Sequence, residues 1–128
     1  MRIHKLLLLS SLLAPVAVFA GTKVTANVYV TPGYASGAPG TARASADNQQ
    51  YVRCLYSANA GAGAFSYVSC LFRNSQGVSG YCWSDEPSLM AAVSAMSSDS
   101  LVQVYWDGAG KCTSIDVTKG SEHAPKTP

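Results

Sequence analysis

Residues 51–74 read YVRCLYSANAGAGAFSYVSCLFRN, and within them YVRCLY (51–56) returns as YVSCLF (67–72). Both copies are rich in β-branched and aromatic residues, and the SANAGAGA between them is small and flexible. That is the pattern of two strands joined by a hairpin loop. A hairpin centred on Ala62 sets Cys54 opposite Cys70, Val52 opposite Phe72 and Tyr56 opposite Val68. Side chains alternate with period two along a strand, so these six share one apolar face. The other face carries Tyr51, Arg53, Leu55, Tyr67, Ser69, Leu71 and Arg73.

Cys54, Cys70, Cys82 and Cys112 are an even number of cysteines in a short chain, which is the arithmetic of two disulfides. Zinc sites gather their ligands in close C-x2–4-C pairs, whereas the smallest spacing here is twelve, from Cys70 to Cys82. A thiol redox centre would need the C-x-x-C pair that the sequence lacks. Three pairings are open, because a second hairpin centred on Gln76 sets Cys70 opposite Cys82 just as well. The pairing Cys54–Cys70 with Cys82–Cys112 is preferred, since its second bond ties together the segments that flank the helix described next.

Around this doublet the periods change in order. TKVTANVYV (22–30) alternates like a strand, and the Gly, Ala, Ser and Pro of residues 31–48 show no period and read as a long loop. Strands are predicted over 50–56, 65–73 and 78–83. SDEPSLMAAVSAMS then places Leu89, Val93 and Met96 at helical spacing with Met90 beside them. Ser84 or Asp85 can cap this helix and Pro87 suits its first turn, which predicts a helix over about 86–97. LVQVYW (101–106), DGAGK and CTSIDV (112–117) complete a hairpin. The fold expected is α+β: an antiparallel sheet of five to six strands with one helix, braced by two disulfides.

The first twenty residues set the compartment. Arg2 and Lys5 precede an apolar run from Leu6 to Phe19, and Val18-Phe19-Ala20 offers small residues to a signal peptidase. The run is broken by Ser10, Ser11 and Pro15 and falls short of the roughly 20 apolar residues a bilayer span needs. A signal peptide cut after Ala20 is expected, leaving one secreted or periplasmic domain (21–118) and a polar tail (119–128). The formal charge of +2 belongs to Arg2 and Lys5, because the remaining basic residues equal the acids in number. A neutral mature chain argues against nucleic acid or an anionic membrane as partner.

Few residues offer chemistry. His123 stands in the polar, proline-bearing tail KGSEHAPKTP and is expected in solvent; no other histidine follows residue 20. GVSGY (77–81) carries Tyr81 where a nucleophile elbow needs glycine. Asp47, Asp85, Glu86, Asp99 and Asp107 could supply a hydrolytic carboxylate pair, but Asp85 and Glu86 suit a helix start and Asp107 a turn. No catalytic residue, metal or cofactor is expected. Of the strand aromatics, Tyr51 and Tyr67 share a face with Arg53 and Arg73, the composition of a recognition surface for a protein, peptide or glycan.

TARASAD (41–47), YVSC (67–70) and the stretch from Tyr81 through WDGAGKC (106–112) resemble a set of small exported bacterial proteins to which no activity is attached. The resemblance implies a bacterial envelope or secreted setting and nothing about mechanism. The function expected is thus a secreted, non-enzymatic binding domain. The alternatives are an inhibitor or toxin-like protein presenting loop 31–48 or 57–64, and a small carboxylate hydrolase.

Overall fold

A computed structural model describes residues 21–123; the expected signal peptide and the last five residues lie outside them. The element order is β1 (Tyr29–Thr31), β2 (Tyr34–Gly37), α1 (Pro39–Arg43), β3 (Tyr51–Ala58), β4 (Ser66–Arg73), β5 (Ser79–Ser84), α2 (Pro87–Ser94), β6 (Ser100–Trp106) and β7 (Cys112–Lys119). The strands form two antiparallel sheets, β1-β2-β6-β7 and β3-β4-β5. The single sheet of five to six strands is therefore corrected: the described residues hold seven strands in two sheets, with two helices rather than one. Among these residues no helix is long and apolar enough to cross a membrane.

The repeated doublet builds the three-stranded sheet. Cys54 pairs with Cys70, Val52 with Phe72 and Tyr56 with Val68 in the β3–β4 ladder, while Cys70 also stands opposite Cys82 in β4–β5. Both hairpin centres read from the sequence are realised, so three cysteines lie side by side in one row. The bonds join Cys54 to Cys70 and Cys82 to Cys112. The first crosses adjacent strands, with Cα atoms 4.1 Å apart; the second links the two sheets.

The inner faces of the sheets meet over Val68, Cys70, Phe72, Cys82, Val102, Val104, Cys112 and Ile115, all buried. Tyr56 stands on the same side but is exposed, on the edge strand β3. Helix α2 packs on β7, β3 and β4 through buried Met90 and Val93, with Leu89 and Met96 half-buried. It is shorter than expected at both ends. Its N-cap is Glu86, whose side chain makes no cap bond, and the Ser84 hydroxyl instead accepts from the Glu86 N–H at 3.2 Å.

The largest departure is residues 31–48. Expected as a loop, they hold β2 and α1, with Ala35, Gly37, Ala38, Gly40, Thr41 and Ala42 buried. Strand β2 pairs with both β1 and β6, so it lies inside the four-stranded sheet. Small residues are what this position permits: a Cβ at Gly37 would stand 3.0 Å from both Val28 Cγ2 and Val52 Cγ2. The strand expected over 22–30 shrinks to its last two residues plus Thr31, and 21–28 run without regular structure.

The chain's tail is also tied down further than expected. Val24 N–H donates to the Glu122 carbonyl at 2.8 Å, and His123 is buried rather than solvated.

Candidate functional site

The outer face of β3-β4-β5 is set by the same alternation that buries the cysteines. Its cross-strand rows run Tyr51–Arg73–Ser79, Arg53–Leu71–Tyr81, Leu55–Ser69–Trp83 and Ser57–Tyr67. Of the four residues singled out from sequence, Tyr51, Arg53 and Arg73 are neighbours at one end, all exposed. Tyr67 is half-buried at the other end, three rows away or roughly 20 Å at strand rise. The structure thus brings three of them together and leaves the fourth with different companions. Neither arginine forms an ion pair among the described residues.

The companions of Tyr67 form a cleft of about 480 Å³ lined by Phe65, Ser66, Tyr67, Tyr81, Trp83 and Asp85. Each wall has a local cause. Phe65 is fixed at the base of the 58–65 loop, where its N–H donates to Asn59 Oδ1 at 2.6 Å and its carbonyl accepts from Asn59 N–H at 3.0 Å. Its ring lies nearly parallel to that of Tyr67, with centroids 6.0 Å apart. On β5, Tyr81 and Trp83 flank buried Cys82, so period two turns both rings outward, 53% and 42% exposed.

Asp85 closes the cleft as β5 ends, and it is joined there by a residue from the turn that precedes β7. Lys111 Nζ stands 2.9 Å from Asp85 Oδ1 and 5.4 Å from the centre of the Trp83 ring. Two features carry Lys111 there: the Cys82–Cys112 bond, and the bridge between Trp83 and Lys111, in which Trp83 N–H donates to the Gly110 carbonyl at 3.2 Å. The turn before it is held by Asp107 Oδ1, which accepts from the N–H groups of Ala109 and Lys111, each at 2.9 Å. The hydrogen bond from Lys111, then the Asp85 backbone N–H, then the Lys111 charge hold the Asp85 carboxyl below the usual carboxylate range. In return Asp85, by hydrogen bond and then charge, with Glu86 and Asp107 farther off, raises the Lys111 ammonium.

The other carboxylates offered by the sequence are engaged elsewhere. Asp47 accepts from Gln49 N–H at 2.8 Å, Gln50 N–H at 2.9 Å and the Gln50 side chain at 2.6 Å. Its carboxyl is accordingly lowered, chiefly by the Gln50 side chain and then by the two backbone donors. Asp99 accepts from Ser98 at 3.3 Å. His123 places Nε2 3.4 Å from Glu122 Oε1, and its buried Nδ1 has no partner among the described residues. Among those residues no three His, Cys, Asp or Glu side chains gather closely enough to hold a metal ion.

A second group of rings lies on the outer face of the four-stranded sheet. Tyr34 sits 4.8 Å from Tyr105 and 6.2 Å from Tyr29, and its hydroxyl accepts from Gln103 at 3.0 Å. These rings pack on one another. Phe65, Tyr81, Trp83 and Lys111 escaped the sequence reading as site residues and Asp85 was weighed only as a hydrolytic carboxylate, although the alternation Tyr81-Cys82-Trp83 already put both rings opposite the cysteine. Lys111 had no local signal at all. No protein-family model, curated protein or solved structure matches this chain.

Proposed function

We propose that this chain is a small secreted or periplasmic recognition domain without catalytic activity, presenting the outer face of β3-β4-β5 to its partner. One observation carries the reading: rings at Tyr51, Phe65, Tyr81 and Trp83, 36–54% exposed, stand on one strand-built face. Aromatic side chains displayed this way bury large areas on binding at little entropic cost, because two torsions fix each ring. Two arginines without ion pairs among the described residues stand at one end and an ion pair at the other, giving polar groups that orient a partner. Bonding across β3 and β4, and from β5 to β7, keeps the face rigid. The Tyr29–Tyr34–Tyr105 group is the weaker candidate, since its rings already contact one another.

The loop-presenting alternative keeps one specific support. Residues 58–65 are all exposed yet closed at the base by Asn59, so they form an ordered projection. Residues 31–42 do not share that property, being built into the sheet and core, and 44–48 are a short, partly exposed connection towards β3.

The test is backbone-amide NMR on the oxidised protein, titrated with neutral and acidic oligosaccharides and with proline-rich and acidic peptides. Shifts confined to β3-β4-β5, lost in the combined Tyr51→Ala, Arg53→Ala, Tyr81→Ala, Trp83→Ala variant, support the proposal. Shifts confined to the Tyr29–Tyr34–Tyr105 face, or binding that survives that variant, overturn it.

A further inference from the structure

Resting on that reading, we infer that the cleft between Phe65 and Asp85 is a subsite for one pyranose ring of an uncharged glycan. Three observations select this ligand chemistry. The walls are aromatic: Phe65 and Tyr67 nearly parallel on one side, Tyr81 and Trp83 alternating on the other. The C–H face of a pyranose is flat and apolar enough to lie on such rings. The volume, about 480 Å³, belongs to the range of small-ligand clefts and admits a ring of that size.

The polar end is the discriminating feature. Asp85 lines the cleft, and Lys111, just outside the lining, sets its Nζ 2.9 Å from Asp85 Oδ1, so an acceptor has a donor beside it. Adjacent ring hydroxyls present the complementary arrangement, each able to donate to a carboxylate and accept from an ammonium. The pair keeps capacity for this, because a carboxylate offers about four lone-pair sites and an ammonium three hydrogens.

Other ligand classes meet specific obstacles. A ligand cation at Trp83 and Asp85 meets the like charge of the Lys111 ammonium, which stands 5.4 Å from the ring centre and 2.9 Å from the carboxylate. An anionic ligand meets Asp85 directly, with Glu86 and Asp107 close enough to act on the same lysine. A proline-rich peptide stacks well on rings but offers no donors to the carboxylate. A neutral polyol with an apolar face matches both halves of the cleft.

The test uses cellohexaose, chitohexaose and maltohexaose, with a hexagalacturonate and a decaproline peptide as rivals. Binding is read by tryptophan fluorescence in a Trp106→Phe background and by amide shifts of residues 65–67 and 81–85. The expected result is saturable binding of at least one neutral hexasaccharide. Trp83→Ala should weaken it about tenfold or more, and Asp85→Asn or Lys111→Met several-fold. Tyr105→Ala, on the opposite side of the molecule, should leave it unchanged.

If hexagalacturonate or decaproline alone shifts this cleft, the assignment to an uncharged glycan is overturned while the recognition face stands. If no probe shifts any outer-face residue, both fail. Circular dichroism of each variant separates lost binding from lost folding, and Lys111→Met, which alters only an exposed side chain, serves where Trp83→Ala disturbs the sheet.

Discussion

Gly37→Ala tests whether the small residues of 31–48 are core rather than loop. The new methyl would sit 3.0 Å from Val28 Cγ2, 3.0 Å from Val52 Cγ2 and 3.2 Å from Val28 Cα. The two methyl contacts can relax by rotation of the valines, but the third is backbone and cannot. Overpacking of this kind costs about 1–3 kcal/mol. Against it stands a gain of about 0.4–1 kcal/mol from restricting the unfolded chain. The net expectation is destabilisation of about 1–2 kcal/mol. Gly108→Ala is the control: nothing lies within 4 Å of its Cβ position, so only the favourable part remains. Urea unfolding followed by tryptophan fluorescence at constant m reads both. The midpoints should move in opposite directions, and a Gly37→Ala protein as stable as the parent would refute the core assignment of β2.

The remaining predictions concern the bonds, the charges and the core. Replacing Cys82 and Cys112 by Ala opens a loop with a sequence separation of 30, worth about 3.6 kcal/mol in the chain-entropy picture, or a melting point lower by about 15 °C. Replacing Cys54 and Cys70 opens one of 16 and should cost slightly less, about 3.1 kcal/mol; a reversed order by calorimetry would count against that picture. Asp85 is depressed, so its contribution is complete above the ordinary carboxylate range and lost as pH falls through the lowered pKa. Lys111 is raised, so its share is lost only as pH rises through the higher value. Lys111→Met should move the Asp85 carboxyl titration, followed by carbon NMR, to higher pH, and an unmoved curve would remove the ion pair from the argument. Phe72→Ala, at 1% exposure, should cost about 3–5 kcal/mol by denaturant unfolding, and a value under 1 would place it outside the core.

The doublet was legible because alternation, a central Gly/Ala loop and two cysteines in phase all pointed to one register. Helix α2 was legible from Leu89, Val93 and Met96, though the frayed ends were not. Residues 31–48 were not legible, because alanine and glycine carry almost no periodic signal while being the residues that closely approached strands demand. Their strand status depends on the pairing of Ala35 with Val104 and Gly37 with Val102, partners far along the chain. The same limit hid the division into two sheets: local pattern marks hairpins, whereas which hairpins join edge to edge is a long-range choice. At the site, Tyr81 and Trp83 could be read from phase. The Asp85–Lys111 pair could not, since a disulfide and a single interstrand bridge bring it together.

The row of cysteines has a consequence for how the protein meets proteolysis. The exposed 59–65 loop lies within the ring closed by Cys54–Cys70, and α2 and β6 lie within the ring closed by Cys82–Cys112. A single backbone cut between 55 and 69, or between 83 and 111, releases no fragment. The severed ends stay tethered beside their ladder partners and can re-form the same register. Under oxidising conditions a nicked molecule thus runs as one chain, and parts into pieces only when a reductant arrives.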